Sequence, residues 1–201
     1  MDPTVPAELP DPLGTTPPGI RRTLVIGGAR SGKSREAERL LAAEPEVTYV
    51  ATSYPVGHSP FGDDAEWTDR VRRHQADRPA HWATLETLDV AGLLGKSGGP
   101  LLIDCVTLWL TRVMDAHDAW DDETWTTVGE TAVQLEVDAL VTAWQRTSRR
   151  AVAVTNEVGQ GVVPATASGR RFRDLMGTLN AKLAAESEAV RWCVAGRVVH
   201  L

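Results

Sequence analysis

Short apolar runs punctuate the chain, and each stops at a glycine or a polar residue. Leu24-Val25-Ile26, the run at 47–52, Leu101-Leu102-Ile103 and Ala151-Val152-Ala153-Val154 are brief and aliphatic or β-branched, the pattern of buried strands. Between them the period changes. Residues 35–43 are rich in Glu, Ala, Leu and Arg, all good helix formers. Residues 130–148 put Val133, Val137, Leu140, Val141 and Trp144 on one helical face. A second long helix is predicted over 170–188, opening on Arg170, Arg171 and Arg173. Residues 64–75 turn helical, with Trp67, Val71 and His74 spaced by four and three, and Asp77-Arg78-Pro79 ends the pattern. Weaker signals predict a strand at 82–86, a short helix at 87–94 ending at Gly95, and a helix at 105–114. An acidic surface loop at 115–123 and a closing hairpin around Gly196 complete the pattern. Strands alternating with helices predict an α/β fold, a mostly parallel sheet with helices on both faces.

Composition narrows this frame. The 201 residues suit one domain over 21–201, behind a tail at 1–20 that holds six of the twelve prolines and reads as disordered or loosely docked. A net charge of −6 counts against nucleic acid as the main partner. Cys105 and Cys193 each sit in an apolar run and read as buried free thiols, in a reducing compartment. No apolar run reaches the length of a membrane span and no signal-peptide pattern opens the chain, so a soluble cytoplasmic enzyme is expected.

The chemistry gathers where the apolar runs end. After the first run come Gly27-Gly28-Ala29-Arg30-Ser31-Gly32-Lys33-Ser34, which satisfy the Walker A spacing between a strand and a helix. Glycines let successive N–H groups point inward at phosphate oxygens, and the helix N-terminus adds its positive end. Lys33 is expected to reach the β- and γ-phosphates as the catalytic cation, and the Ser34 hydroxyl to ligate Mg²⁺. Asp104 closes an apolar strand as a Walker B acid would, holding Mg²⁺ directly or through water. The run at 47–52 ends on Thr52-Ser53, and the run at 151–155 on Asn156-Glu157. In an open α/β sheet all these strand ends face one crevice, so a P-loop nucleoside triphosphatase fold of RecA-like type is expected.

Taken in order, these residues resemble one family. Beyond the P-loop they comprise Ala51-Thr52-Ser53, Arg70-Val71 with His74, Arg78-Pro79, Trp82, Glu86 and Asp104. Thr107-Leu108-Trp109-Leu110, Thr155-Asn156-Glu157-Val158-Gly159, Gly161-Val162-Val163-Pro164, Arg171-Phe172-Arg173-Asp174, Gly177, Asn180 and Leu183-Ala184 complete the series. From Thr23 to the C-terminus it is similar to the bifunctional adenosylcobinamide kinase / adenosylcobinamide-phosphate guanylyltransferase family of cobalamin biosynthesis.

The resemblance implies two reactions on one substrate arm. ATP or GTP phosphorylates the aminopropanol hydroxyl of adenosylcobinamide; GMP then passes from GTP to that phosphate, giving adenosylcobinamide-GDP and pyrophosphate. It implies a covalent guanylyl-histidine at His74, with Gln75, Ala76, Asp77 and Arg78 beside it as nucleotide-binding residues. It also implies nucleotide contacts at Ala51, Thr52, Ser53, Glu86 and Asp104, and assembly as a homotrimer. A neutral imidazole is a competent nucleophile near pH 7, and nearby arginines offset charge on the α-phosphate and the departing pyrophosphate. On spacing alone His74 reads equally as a histidine of a helix face with Trp67 and Val71. Glu86 reads equally as a solvated strand-end carboxylate, and Arg171 and Arg173 as helix-surface charge or an intersubunit salt bridge rather than phosphate ligands. Two departures stand out: residues 54–67 look longer than the usual family loop, and Arg112 stands where an Asn is frequent. The alternatives are a P-loop kinase of another small metabolite and a nucleotide-dependent switch protein. Against the switch, no Asn-Lys-x-Asp guanine motif is present.

Overall fold

The computed structural model describes residues 19–55, 68, 69, 72 and 79–201. The expectations for the tail, the loop after Pro55, Trp67, Val71, His74, Gln75, Ala76, Asp77 and Arg78 therefore lie outside the described residues. Seven strands are described: β1 (Arg22–Gly27), β2 (Thr48–Ala51), β3 (Ala83–Glu86), β4 (Leu101–Asp104), β5 (Ala151–Asn156), β6 (Ala189–Val194) and β7 (Arg197–His200). They form one sheet in the order β3-β2-β4-β5-β1-β6-β7, parallel throughout except for the last pair. The inner strands read as continuous apolar runs because both of their faces are covered. Leu24, Val50, Leu101, Ile103, Ala151 and Ala153 turn to one face; Val25, Tyr49, Ala51, Leu102, Val152 and Val154 turn to the other.

Helices cover the two faces as the α/β pattern predicts. The first face packs against α2 (Val90–Leu94), α3 (Val106–Ala116), α5 (Glu130–Arg146) and α6 (Ala167–Ala185). The second packs against α1 (Lys33–Leu41), through Ala37, Leu40 and Leu41. Trp144, buried on α5, satisfies its indole N–H on Ser187 Oγ at 3.1 Å, so a large apolar surface is sealed without stranding a donor. No helix among the described residues is long and apolar enough to cross a membrane.

Several element boundaries move, each for a local reason. Helix α1 begins at Lys33 rather than 35, because left-handed Gly32 (φ 95°) turns the chain straight into it. Helix α6 begins at Ala167 rather than 170, where Thr166 Oγ1 accepts the Gly169 N–H at 3.1 Å. The acidic stretch at 115–123 is not a surface loop. Asp115 belongs to α3, Ala119 is fully buried, and Asp121 caps α4 (Asp122–Thr124), accepting the Thr124 N–H at 2.8 Å. A π-helical turn, Trp125–Gly129, then runs into α5. The closing hairpin is present, its turn made by Ala195 and Gly196 with φ of 48° and 73°, both left-handed as a two-residue turn of type I′ requires.

Candidate active site

Strand order carries the polar strand ends to one edge. Gly27 stands level with Asn156 on β5 and Cys193 on β6, and Ala51 is level with Asp104 on β4 and Glu86 on β3. The P-loop thus lies where β1 is flanked by β5 on one side and β6 on the other. Its residues curl tightly: Ser31 N–H donates to Gly28 O at 3.3 Å, and Glu36 N–H to Gly32 O at 3.0 Å. Arg30 (φ 55°) and Gly32 (φ 95°) both take left-handed backbone, which turns successive N–H groups the same way. Lys33 Nζ donates across the loop to Gly28 O at 3.1 Å. The Ser31 hydroxyl is buried and has no hydrogen-bond partner among the described residues. Gly27 cannot carry a side chain, since a Cβ there would stand 2.4 Å from Cys193 O and 2.5 Å from Ser31 Oγ.

Asp104 is oriented by a partner that the sequence pattern did not single out. Tyr49, 2 % exposed on the neighbouring strand, donates its phenolic O–H to Asp104 Oδ2 at 2.6 Å. One carboxylate oxygen is thereby fixed. Asp104 and Ser34 offer only oxygen donors, which fits a hard cation such as Mg²⁺ that keeps the rest of its shell for phosphate oxygens and water.

The β5 end, between the P-loop and Asp104, is locked by a buried polar network. Asn156 N–H donates to Thr107 Oγ1 at 2.8 Å, and Asn156 O accepts Asn180 Nδ2 at 3.0 Å. Asn180 Oδ1 accepts the Thr155 hydroxyl at 2.7 Å. Asn156 Oδ1 is buried and has no partner among the described residues. Glu157 N–H reaches Gly27 O at 3.1 Å, tying this strand end to the P-loop.

Thr52, Ser53 and Glu86 lie on the β2–β3 flank. Thr52 is fully buried and its hydroxyl donates to Cys105 O at 2.7 Å. Glu86 is exposed at the end of β3. Arg112 reaches over from α3, donating NH1 to Thr52 O at 3.3 Å and to Ser53 O at 3.0 Å, with its guanidinium 4.8 Å from the Tyr54 ring centroid. Asp115 accepts the Tyr54 O–H at 2.6 Å and Trp120 Nε1 at 2.5 Å. Burial, then Asp115, push the Tyr54 phenol up to about 12. An open cleft of about 790 Å³ lies beside this clamp, walled by Tyr54, Leu88, Arg112, Asp115 and Trp120.

Both cysteines are buried free thiols, as their apolar surroundings predict. Burial and then Asp104 push the Cys105 thiol up to about 12; burial and then Glu36 raise that of Cys193. The arginines of α6 hold structure. Arg171 donates to Ala119 O and to Asp122 Oδ1, both at 2.7 Å, with its guanidinium 4.6 Å from the Trp125 ring centroid. Its partner is therefore an acid of the same chain. Arg173 donates to Gly159 O at 2.6 Å, and Arg170 to Pro164 O and Ala165 O.

Comparison with known proteins agrees with this geometry. The profile of the cobinamide kinase / cobinamide phosphate guanyltransferase family matches residues 23–201. A bifunctional adenosylcobalamin biosynthesis protein CobU of Salmonella typhimurium is 40 % identical over 181 residues, 86 % of this chain and 95 % of that one. The protein of the same name from Escherichia coli is 37 % identical over 183 residues, with the same coverage. A bifunctional adenosylcobalamin biosynthesis protein CobP of Pseudomonas aeruginosa is 39 % identical over 180 residues, 87 % of this chain and 94 % of that one. Among solved structures, a prototypical ATPase from the type III secretion system of pathogenic bacteria superposes with a TM-score of 0.54 at 12 % identity. It covers 86 % of this chain and 50 % of that one, a likeness of fold alone. The chain belongs to the cobinamide kinase / cobinamide phosphate guanyltransferase family.

Proposed function

We propose that this chain phosphorylates adenosylcobinamide and then guanylylates the product. In the first step the aminopropanol hydroxyl attacks the γ-phosphorus of ATP or GTP and the nucleoside diphosphate leaves. In the second, a ring nitrogen of His74 attacks the α-phosphorus of GTP and pyrophosphate leaves. A phosphate oxygen of the corrinoid then attacks the guanylyl phosphorus and the imidazole is released, giving adenosylcobinamide-GDP. The P-loop N–H groups and Lys33 bind and offset the phosphate charge. Ser34 and Asp104 would hold Mg²⁺, which would supply charge neutralisation on the phosphates. Ser53 and Glu86 are proposed to meet the guanosine, along with Gln75, Ala76, Asp77 and Arg78 from the segment that carries His74, while fully buried Thr52 supports this strand end through Cys105 O. Assembly as a homotrimer, at work in the cytoplasm, belongs to the same reading; exposed Val199 and Leu201 at the outer strand suit such contacts.

The observation that carries the reading is the 40 % identity to a bifunctional protein over 181 residues, laid on a P-loop with Asn156 at the end of the adjoining strand and Asp104 on the strand beyond it. The test is incubation with α-³²P-labelled GTP and Mg²⁺, denaturation and peptide mapping, beside His74→Ala. Acid-labile, alkali-stable label on the His74 peptide is expected, absent from the variant and discharged by adenosylcobinamide phosphate. Binding of GTP with no label would remove the histidine step and leave a plain P-loop kinase.

A further inference from the structure

A triphosphate on the P-loop has two ends, and the loop's two flanks differ in chemistry. On the β5 and β4 side stand Asn156, Glu157 and Asp104. The γ-phosphate belongs on that side, because Asp104 is the acid placed to share a cation with it. On the β6 side the C-terminal hairpin closes against the loop. Gly196 N–H donates to Ser31 O at 3.2 Å, and Gly196 Cα lies 3.8 Å from the point where a Cβ on Gly32 would stand. Cys193 O and Cβ lie 2.4 and 3.2 Å from the corresponding point on Gly27. The hairpin is therefore a fixed wall of the phosphate cradle.

We propose that the turn at residues 194–197 seats the nucleoside end of the triphosphate in the kinase step. The proposal rests on the P-loop kinase reading above and adds where the ribose and purine lie in that step alone. The guanosine of the transfer step stays on the β2–β3 flank, so the triphosphate lies in opposite senses in the two steps. With the γ-phosphate directed toward Asp104, the α-phosphate and nucleoside leave the loop on the opposite flank, where this turn is the adjoining surface. Its chemistry suits them. Residues 189–201 contain no acidic side chain to repel the phosphates, whereas Glu86, Asp104 and Glu157 all stand on the other flank. Left-handed Gly196 carries no side chain, and a Cβ there would meet nothing within 4 Å, so a clear shelf lies next to the P-loop. Val194, 43 % exposed, pairs across the hairpin with exposed Arg197. Together they offer an apolar surface and a planar cation on which a purine ring stacks.

Photolabelling with 8-azido-ATP tests the placement directly. Trypsin cuts after Arg191 and Arg197, so label on peptide 192–197, competed by ATP and lost in Lys33→Ala, is the expected result. In steady-state kinetics, Gly196→Asn, which fills the shelf with a residue tolerant of left-handed backbone, should raise the ATP KM of the kinase step about tenfold with kcat within about threefold. Arg197→Ala, a surface change that spares the fold, should raise the KM in the same direction, with an unchanged Tm. Lys33-dependent label on residues 48–55 or 83–89, with both KM values unaltered, would overturn the proposal and leave the P-loop reading standing. Absence of any Lys33-dependent label would remove that reading and this one together.

Discussion

Behind the phosphate loop, α1 is fastened to β6 by a buried ion pair whose removal can be worked out in advance. Arg191 NH1 lies 2.6 Å from Glu36 Oε1, and the two residues are 3 % and 6 % exposed. Glu36 also accepts Nε and NH2 of Arg39 at 2.8 and 2.9 Å, from its own helix. Arg191→Met keeps much of the stem's volume but strands a carboxylate between helix and sheet. Breaking a buried pair by removing one partner costs about 3–5 kcal/mol, because the survivor's desolvation is no longer offset. Arg39 keeps its hold on Glu36, so the loss should fall at the lower end, about 3 kcal/mol, or a fall in Tm of roughly 6–12 °C for a chain of this length. Adding Glu36→Leu to Arg191→Met leaves no stranded charge and should restore most of the loss. Urea unfolding of wild type, both single variants and the double variant measures the coupling. A loss below about 1 kcal/mol for Arg191→Met, or a double variant as unstable as the sum of its singles, would refute the argument.

The same pair sets a pH dependence. Burial raises the Glu36 carboxyl, but the hydrogen bonds from Arg39 and Arg191 outweigh it and leave the group below its ordinary value of 4.5. The unfolded chain then binds the proton more readily than the folded one. The stabilisation is complete above the unfolded value and is lost as pH falls through the folded one. Wild type's advantage over Glu36→Gln should therefore stay flat from neutral pH to about 5 and shrink below that.

Arg112→Lys removes the guanidinium whose NH1 donates to both Thr52 O and Ser53 O and whose plane lies over Tyr54, loosening residues 52–54. On the proposed histidine route, guanylyl transfer in single-turnover assays should slow about tenfold, roughly 1.4 kcal/mol, with the kinase step spared; equal loss in both steps would point to general damage instead. Asn180→Leu leaves the Thr155 hydroxyl and the Asn156 carbonyl without their partner. The Asn156 carbonyl is then stranded at a cost of about 1–3 kcal/mol, while the Thr155 hydroxyl keeps a 3.5 Å contact with Thr107 Oγ1. The urea midpoint should therefore fall by an amount equivalent to roughly 1–3 kcal/mol, and a change under about 0.5 kcal/mol would discount the network.

The strand ends were legible because a strand buried on both faces stays apolar until the sheet stops. Gly27, Asp104 and Asn156 each mark such a stop, and each stands at the same edge of the sheet. The partners of these residues were not legible, since they depend on strand order. Tyr49 meets Asp104 only because β2 pairs with β4, and Gly196 meets Ser31 only because the hairpin flanks β1. Arg171 shows the limit from the other side. A basic cluster at a helix start fits phosphate, solvent or an acid equally well, and only the fold brings Asp122 to it. The acidic stretch at 115–123 misled for a related reason. Charge suggested a surface loop, whereas Asp115 and Asp121 spend their carboxylates on Tyr54, Trp120 and the N-terminus of α4.

Strand order also explains why the middle of the site is so heavily braced. Placing β5 between β1 and β4 sets the strand of Asp104 two spacings from that of the P-loop, about 10 Å at the usual 4.8 Å per strand. That interval accommodates a phosphate chain and a hydrated cation. Asn156 stands at its centre, and any shift of β5 would change the separation of Lys33 from Asp104. Thr107 and Asn180, from two different helices, remove that freedom with hydrogen bonds to Asn156 and Thr155, while Glu157 N–H ties the strand end to Gly27. On the far flank, close contact of Gly27 with Cys193 fixes the opposite wall. The rigid width of the cradle is thus a property of β5 and β6, and substitutions there should disturb both transfers even where they touch no nucleotide.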